Sequence, residues 1–453
     1  MKWMVQYSST KRHRVSFALI SALSLAAMVA PTPSADAQTY KVIHIFQGGN
    51  DGIEPEAGLL RKADGNIYGT TYRGGGQSDT GTVVKIDHTG KETIFTFPGC
   101  CGVYPGGGGP EGGLVQDSVG NLYGTTNYGG TGGGSNCGNF GCGTIFKLDT
   151  TGKQTVLHSF LGTDGHGPRG GLIRDSLGNL YGTALYGGDL SRCGGLGRGT
   201  VFELTAAGKL KVLYAFEGGL DGAQPIGNLV RDPQGSLYGN TYEGGSFDCQ
   251  GPGCGTVFKV DTHGVETILH AFLSAEPYGI IPFGGVIRDQ SGNLYGTTSA
   301  GGAFPENGTV FKLDPMGVLT VLYNFVGGAD GSGSFAPLIH DTAGNFYGTT
   351  EFGGNRSCKL LGTSLGCGTV FKLDTTGHET VLHRFTGGKD GGFPEAGLAM
   401  DILGNLYGTA SLGGNLACNN GGLGCGVAFK IMPQSVSTTE RSHSPHHGGR
   451  GAQ

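Results

Sequence analysis

The sequence predicts an all-β fold, a seven-bladed β-propeller of four-stranded blades closed by the N-terminal strand. A motif typified by Gly178-Asn-Leu-Tyr-Gly182 recurs seven times, at spacings of 52 to 60 residues. Its tyrosines are Tyr68, Tyr123, Tyr181, Tyr238, Tyr295, Tyr347 and Tyr407. Each complete copy also contains four short strand patterns, and the two chain ends complement each other. Repeats of this length that cover nearly all of a chain are typical of one closed array.

The third copy illustrates the four strands. Strand a, residues 171–174, is short and apolar and ends in an Asp-x-x-Gly turn. Strand b, 179–183, is rich in β-forming residues, and strands c and d, Thr200–Leu204 and 211–216, follow a long glycine-rich loop. Four short strands in each repeat match a propeller blade.

The chain ends predict how the ring closes. The seventh copy stops after its strand c, 426–431, whereas residues 41–46 match a strand d such as 155–160. The N-terminal strand would therefore complete the last blade and leave no unpaired sheet edge. An open β-solenoid is the alternative, but its coils would be shorter than four strands and would need caps that the sequence does not contain.

Composition excludes several classes of protein. Glycine accounts for 93 of 453 residues without a three-residue period, which excludes collagen and indicates dense turns. The net charge of −5 is mild and evenly spread, so we expect no nucleic-acid partner.

The N-terminus resembles an export signal. A basic cluster at 11–14 precedes an apolar run at 15–30 and an Ala-x-Ala site that ends at Ala37. A membrane anchor is the alternative, but the run is shorter than the roughly 20 residues that a span needs. We therefore expect a signal peptide at 1–37, cleaved near Ala37, and a secreted, monomeric mature chain without a membrane span.

The mature chain divides into the propeller at 38–431 and a predicted disordered tail at 432–453, which is rich in Ser, His and Gly. Three histidines of the tail, His443, His446 and His447, could bind a metal ion, although a solvated tail explains them better.

The repeat consensus, Gly-Asn-Leu-Tyr-Gly-Thr-Thr, then Gly-Thr-Val-Phe-Lys-Leu-Asp and Thr-Val-Leu-His-Ser-Phe, resembles the GloVer tandem repeat of bacterial "choice-of-anchor" surface proteins. The resemblance extends from about Tyr40 to Ile431. It implies an exported protein of uncharacterised function, often with a C-terminal anchor, and the tail of this chain departs from that pattern. The strand pattern is also similar to NHL and gluconolactonase-type propellers, as a fold-level analogy.

The two faces of the ring differ. One face carries only four-residue turns, whereas the other carries the b-to-c and d-to-a loops, which vary in length and content. Long variable loops on a rigid ring are where binding residues usually lie. We therefore expect the function on the long-loop face.

Cysteines cluster in the b-to-c loops. In an exported chain these read as four local disulfides, with zinc binding as the alternative. The predicted pairs are Cys137 with Cys142, Cys249 with Cys254, Cys358 with Cys367 and Cys418 with Cys425. Three of the 11 cysteines, Cys100, Cys101 and Cys193, are left over, so at least one thiol is free or paired between molecules.

Two further sets of polar residues recur. One position of strand d holds His44, His158, His270 and His383, and it holds Tyr214 and Tyr323 in other copies. This interchange favours packing with a polar tip over catalysis. The d-to-a loops hold Asp51, Asp164, Asp221, Asp330 and Asp390. Turn formation explains these aspartates better than Ca²⁺ binding.

One position breaks the repeat, six residues before the end of strand a. In blades 1 to 7 it holds Glu56, Glu111, Arg169, Ile226, Phe283, Phe335 and Glu395. A closed ring would make the central mouth polar on one side and apolar on the other. Such a mouth suits an amphipathic ligand such as a sugar, or a Ca²⁺ ion held by the three glutamates. The alternative is that these glutamates are exposed residues of the rim.

Two functions remain open from the sequence. No catalytic triad or metal set stands out from the repeat, which favours an exported, non-catalytic module that binds a glycan or other small ligand. The alternative is an extracellular enzyme that acts on a carbohydrate or lactone, with Glu56, Glu111 and Glu395 as general acid and base.

Overall fold

A computed structural model describes residues 38–99, 104–131, 134–246, 253–274, 277–304, 306–358, 365–418 and 421–433. The predicted signal peptide, 1–37, and residues 434–453 of the predicted tail lie outside the described residues. The described part of the chain contains no helix long and apolar enough to cross a membrane.

The described strands form seven four-stranded sheets, each one blade of a ring. The first strand, β1 (Thr39–Ile45), belongs to the last blade. Blade 1 contains β2 (Leu60–Arg61), β3 (Ile67–Thr71), β4 (Thr82–Ile86) and β5 (Glu92–Thr96). Blade 2 contains β6 (Val115–Gln116), β7 (Leu122–Thr126), β8 (Thr144–Leu148) and β9 (Gln154–Ser159). Blade 3 contains β10 (Ile173–Arg174), β11 (Leu180–Ala184), β12 (Thr200–Leu204) and β13 (Leu210–Ala215).

The remaining four blades follow the same order. Blade 4 contains β14 (Ala223–Arg231), β15 (Leu237–Glu243), β16 (Thr256–Val260) and β17 (Glu266–Ala271). Blade 5 contains β18 (Val286–Arg288), β19 (Leu294–Thr298), β20 (Thr309–Leu313) and β21 (Leu319–Asn324). Blade 6 contains β22 (Ile339–His340), β23 (Phe346–Thr350), β24 (Thr369–Leu373) and β25 (Glu379–Arg384). Blade 7 contains β26 (Ala399–Met400), β27 (Leu406–Ala410), β28 (Val427–Met432) and β1.

The predicted seven-bladed propeller is confirmed, and its N-terminal strand closes the ring. β1 pairs antiparallel with β28, from Thr39 opposite Met432 to Ile45 opposite Val427. Short 3-10 helices occur in the long loops, at Gly49–Asp51, Gly134–Phe140, Cys193–Gly195 and Gly219–Asp221.

The repeat consensus is explained by a hydrogen-bonded turn between strands a and b. In blade 2, Asp117 Oδ1 accepts bonds from the backbone N–H of Val119, Gly120 and Asn121. Its other oxygen accepts a bond of 2.9 Å from the Tyr123 hydroxyl. Burial opposes ionisation of Asp117, but these bonds outweigh it and lower its pKa to about 2.

Phenylalanines join the blades. The Phe of strand c and the Phe that follows strand d are buried, and they meet edge to face across six of the seven seams. Such pairs contribute about 0.5–1.5 kcal/mol beyond their buried area. The glycine of the tyrosine motif leaves room for the ring, since a Cβ on Gly182 would lie 2.7 Å from Phe202 Cζ. At the seam between blades 7 and 1, Val84 replaces the strand c phenylalanine, and it shares a buried cluster with Phe46.

Polar pairs also form within each of five seams. The His or Tyr of strand d bonds the aspartate of the following loop, which joins the two recurrent polar sets seen in the sequence. These pairs are His44–Asp51, His158–Asp164, Tyr214–Asp221, Tyr323–Asp330 and His383–Asp390. Three of the four histidines therefore have a bonded partner for their polar tip, whereas His270 Nε2 is buried without a hydrogen-bond partner among the described residues.

Three predicted disulfides are present in the b-to-c loops. They are Cys137–Cys142, Cys358–Cys367 and Cys418–Cys425, with Cα separations of 4.8, 5.8 and 6.1 Å. Zinc binding does not apply to these six cysteines, because their sulfurs are bonded in pairs. Cys249, Cys100 and Cys101 lie outside the described residues, and Cys193 is a free thiol.

Closure by β1 makes a testable prediction. A mature chain that starts at Gln47 lacks the strand that pairs with β28, so an unpaired edge and part of a buried cluster become exposed. We expect this variant to aggregate or to melt well below the full-length mature chain in calorimetry. A chain that lacks residues 434–453 is the control, and an unchanged Tm in the variant without β1 would contradict closure by this strand.

Candidate functional site

The innermost segments of neighbouring blades approach each other closely around the central axis. A Cβ on Gly112 would lie 2.6 Å from the carbonyl oxygen of Gly170, and a Cβ on Gly170 would lie 2.4 Å from that of Gly227. Backbones this close tolerate only glycine or another small residue at these positions. The side chain that precedes each of these positions is thereby brought to the mouth of the channel.

This central mouth opens into a cavity of about 820 Å³. The structure brings together all six residues predicted to bind a ligand, which come from blades 1, 2, 3, 5, 6 and 7. They are Glu56, Glu111, Arg169, Phe283, Phe335 and Glu395, and Ile226 of blade 4 lies beside them. We call Glu56, Glu111, Arg169 and Glu395 the carboxylate arc, and Ile226, Phe283 and Phe335 the apolar arc.

Glu111 is the most strongly held member of the carboxylate arc. Asn127 Nδ2 donates a bond of 2.8 Å to its Oε1 atom. Arg169 Nε lies 3.1 Å from Oε2, which is close enough for an ion pair but is not aligned for a hydrogen bond. Burial raises the pKa of Glu111 to about 7, although Arg169 and the bond from Asn127 oppose this rise.

Glu56 lies without a polar partner between the other two glutamates. Within the described residues its carboxyl group makes no hydrogen bond or ion pair. Burial, followed by repulsion from Glu111 and Glu395, raises the pKa of Glu56 to about 9. Glu395 accepts a bond of 3.3 Å from the Ser411 hydroxyl, and burial raises its pKa as well. The glutamates therefore lie inside the mouth instead of on an exposed rim.

A fourth carboxyl group, Glu351, also lines the cavity and was not among the predicted site residues. Burial and then repulsion from Glu395 raise its pKa to about 8. Glu351 directly follows strand b. The residue at this position differs among the seven copies, as does the residue at the mouth position. In blades 1 to 7 this position holds Tyr72, Asn127, Leu185, Tyr242, Ser299, Glu351 and Ser411. Comparing this second variable position across the copies could have found Glu351.

The apolar arc has its own ordered packing. The rings of Phe283 and Phe335 meet edge to face with centroids 5.2 Å apart. Tyr242 meets Phe283 in the same way at 5.9 Å. Ile226 is buried beside them, with 6% of its surface exposed. The mouth therefore offers aromatic surface opposite a set of carboxyl groups.

A second cavity, of about 540 Å³, adjoins the carboxylate arc on the long-loop face. We call it the side pocket, and its aromatic lining residues are Tyr72, Tyr104, Tyr128, Phe140 and His166. Tyr104 packs against Tyr128 at 5.3 Å and against Phe140 at 6.3 Å. Asn127 lines this pocket and bonds Glu111, so the side pocket and the central mouth share a wall.

The raised pKa of Glu56 predicts how stability varies with pH. The folded chain keeps the proton up to a pKa of about 9, whereas an unfolded chain releases it near 4.5. Protonation thus favours folding, and this stabilising contribution is complete below the lower value and is lost as pH rises through the upper one. We expect Glu56→Gln, which stays uncharged, to flatten the fall of Tm between about pH 5 and pH 9. Exposed Glu306 provides the control Glu306→Gln, and equal pH profiles for wild type and Glu56→Gln would contradict a protonated Glu56.

Comparisons with known proteins agree with the fold. A streptogramin B lyase structure has a TM-score of 0.55 at 14% identity, covering 88% of this chain and 100% of that chain. Virginiamycin B lyase from Staphylococcus aureus has a TM-score of 0.54 at 12% identity, with the same coverage. Likeness at this identity concerns the fold alone, and no curated protein sequence matches. The model described as the Gloeobacter/Verrucomicrobia repeat matches residues 31–251, 134–364 and 250–452. The chain therefore belongs to the Gloeobacter/Verrucomicrobia repeat family, as its repeat consensus predicted.

Proposed function

We propose that this propeller is an exported, non-catalytic binding module that takes a carbohydrate at its central mouth. The observation that carries the proposal is the division of one cavity into a carboxylate arc and an apolar arc. A sugar ring has an apolar face of C–H groups and a rim of hydroxyl groups. It could stack on Phe283 and Phe335 while its hydroxyls bond the opposite carboxyl groups.

The protonated carboxyl groups at the mouth favour a hydroxyl-rich ligand over Ca²⁺. With pKa values of about 9 and about 8, Glu56 and Glu351 hold their protons at neutral pH. A protonated carboxyl group both donates and accepts hydrogen bonds, as a sugar hydroxyl does. Calcium, in contrast, needs ionised carboxylates and would have to displace these protons. Calcium at the mouth is therefore the rival ligand, and its binding would strengthen as pH rises.

The side pocket supports an extended ligand. Its tyrosines and the exposed ring of Phe140 offer further stacking surface next to Glu111. An oligosaccharide could place one unit in the mouth and another in the side pocket. The disulfides support export, because such bonds persist in oxidising compartments.

Catalysis on a carbohydrate or lactone is the second candidate. Glu56 and Glu111 are neighbours with separated pKa values of about 9 and about 7. A carboxyl pair of this kind can divide the roles of general acid and base. The lyase structures named above share the fold with this chain, which leaves the reaction itself open.

Carbohydrate binding at the mouth predicts a rise in Tm that depends on both the carboxylate arc and the apolar arc. A ligand at about a hundred times its dissociation constant stabilises the fold by about 2.7 kcal/mol. We would measure the Tm of the mature chain against neutral cello-, malto- and chito-oligosaccharides and against CaCl₂. We expect at least one oligosaccharide to raise the Tm of the wild type and to do so less in Phe283→Ala/Phe335→Ala.

The triple variant Glu56→Ala/Glu111→Ala/Glu395→Ala removes these hydrogen-bonding groups and should lose the shift, whereas Glu306→Ala should keep it. A shift retained in the triple variant, or no shift with any oligosaccharide, would count against carbohydrate binding at the mouth. If the wild type releases a product from the bound sugar and Glu56→Gln does not, the protein is an enzyme and not a non-catalytic binding module.

A further inference from the structure

The closing seam holds a cluster of metal-ligating side chains that is separate from the central mouth. His44 of β1, Asp51 of the following loop and Glu92 at the start of β5 meet between blades 7 and 1. His44 Nε2 lies 3.1 Å from Asp51 Oδ1 and 3.9 Å from Glu92 Oε2. One ligand atom from each residue fits within 4.8 Å of the others, and within the described residues this is the one group of three with that property.

We propose that His44, Asp51 and Glu92 bind one divalent transition-metal ion of the zinc class across this seam. Zinc binds histidine nitrogen and carboxylate oxygen at about 2.0–2.2 Å, which places tetrahedral ligand atoms about 3.4 Å apart. The distances of 3.1 and 3.9 Å lie on either side of that value, so small side-chain movements suffice. An imidazole ligand favours zinc over calcium, which prefers oxygen ligands alone.

The surroundings of the cluster favour metal binding. The side chains of His44, Asp51 and Glu92 are 15%, 12% and 27% exposed, so they are held in place but remain reachable. The backbone N–H of Gln47 donates a bond of 2.7 Å to Asp51 Oδ2, and the His44 ring packs edge to face on Phe46. Such outer contacts orient metal ligands. Glu92 Oε1 is buried without a hydrogen-bond partner, as are Glu266 Oε1 and Glu379 Oε1 at the equivalent positions of two other seams, so the histidine is what distinguishes this cluster.

Several other seams each lack one member of the His, Asp and Glu set. Glu92 is the first residue of its strand d and pairs with the last residue of strand c. At the seam that contains His158 and Asp164, the equivalent residue is Leu210. Two other seams have the glutamate but have Tyr in place of His, namely Tyr214 with Glu266 and Tyr323 with Glu379. At the seam of His383, the third position is Tyr40, which stacks on that histidine.

The seam with the complete set is also the one that lacks the phenylalanine pair. Val84 stands where the other blades have the strand c phenylalanine, so this seam has less aromatic packing than the other six. This seam lies between blade 7, which β1 completes, and blade 1, which contains β5. A bound ion would therefore join the N-terminal strand to blade 1 where the ring closes.

The test uses the full mature chain, purified without an affinity tag and treated with EDTA. His443, His446 and His447 of the tail are replaced by alanine throughout, to remove a second source of zinc binding. Titration calorimetry with Zn²⁺ should show one equivalent per chain, and Zn²⁺ should raise the Tm. Calcium should do neither at the same concentration.

His44→Tyr is the decisive variant, because Tyr214 and Tyr323 show that this fold accepts tyrosine at the position with its aspartate bond intact. It should fold, keep the Tm of the metal-free chain and weaken Zn²⁺ binding by on the order of a hundredfold or more. Leu210→Glu should add a second equivalent beside His158 and Asp164. Absence of Zn²⁺ binding in the starting chain, or equal binding in His44→Tyr, would overturn the proposal.

Discussion

The close approach of the seven innermost segments is the constraint on which the rest of this structure depends. Glycine at positions such as Gly112 and Gly170 lets neighbouring backbones nearly touch around the axis. That contact turns residues spaced a whole repeat apart in the chain into neighbours at one mouth. A position that looks like scattered variation in the sequence thereby becomes a carboxylate arc facing an apolar arc.

Contacts between neighbouring blades, farther from the axis, also hold the ring together. Six seams have a buried phenylalanine pair, and five have a bond between strand d and the next loop. The closing seam combines Phe46, Val84 and the His44, Asp51 and Glu92 cluster instead. The site at the axis and the cluster at the closing seam thus have different roles. One is a candidate ligand site at the axis, and the other is a candidate metal site where blade 7 meets blade 1.

The fold could be predicted from the sequence because its signals are local and repeated. The Asp-x-x-Gly turn, the tyrosine motif and the complementary chain ends each recur or match, and the closure by β1 followed from counting strands. The convergence of the mouth residues also followed, once the ring was assumed. Two features did not follow. Glu351 lies at a second variable position, directly after strand b, which only comparison of all seven copies reveals. Glu92 meets His44 across a seam, and that contact depends on packing between neighbouring blades.

Convergence of the innermost segments places two carboxyl groups at the mouth, Glu56 and Glu351, whose raised pKa values of about 9 and about 8 keep them protonated at neutral pH and able to bond hydroxyl groups. Infrared spectroscopy of the mature chain near neutral pH measures this directly, through the C=O stretch of a protonated carboxyl group. Glu56, with a pKa of about 9, should give this band in the wild type, and the band should weaken in Glu56→Gln. A spectrum with only ionised carboxylates in the wild type would contradict protonated carboxyl groups at the mouth.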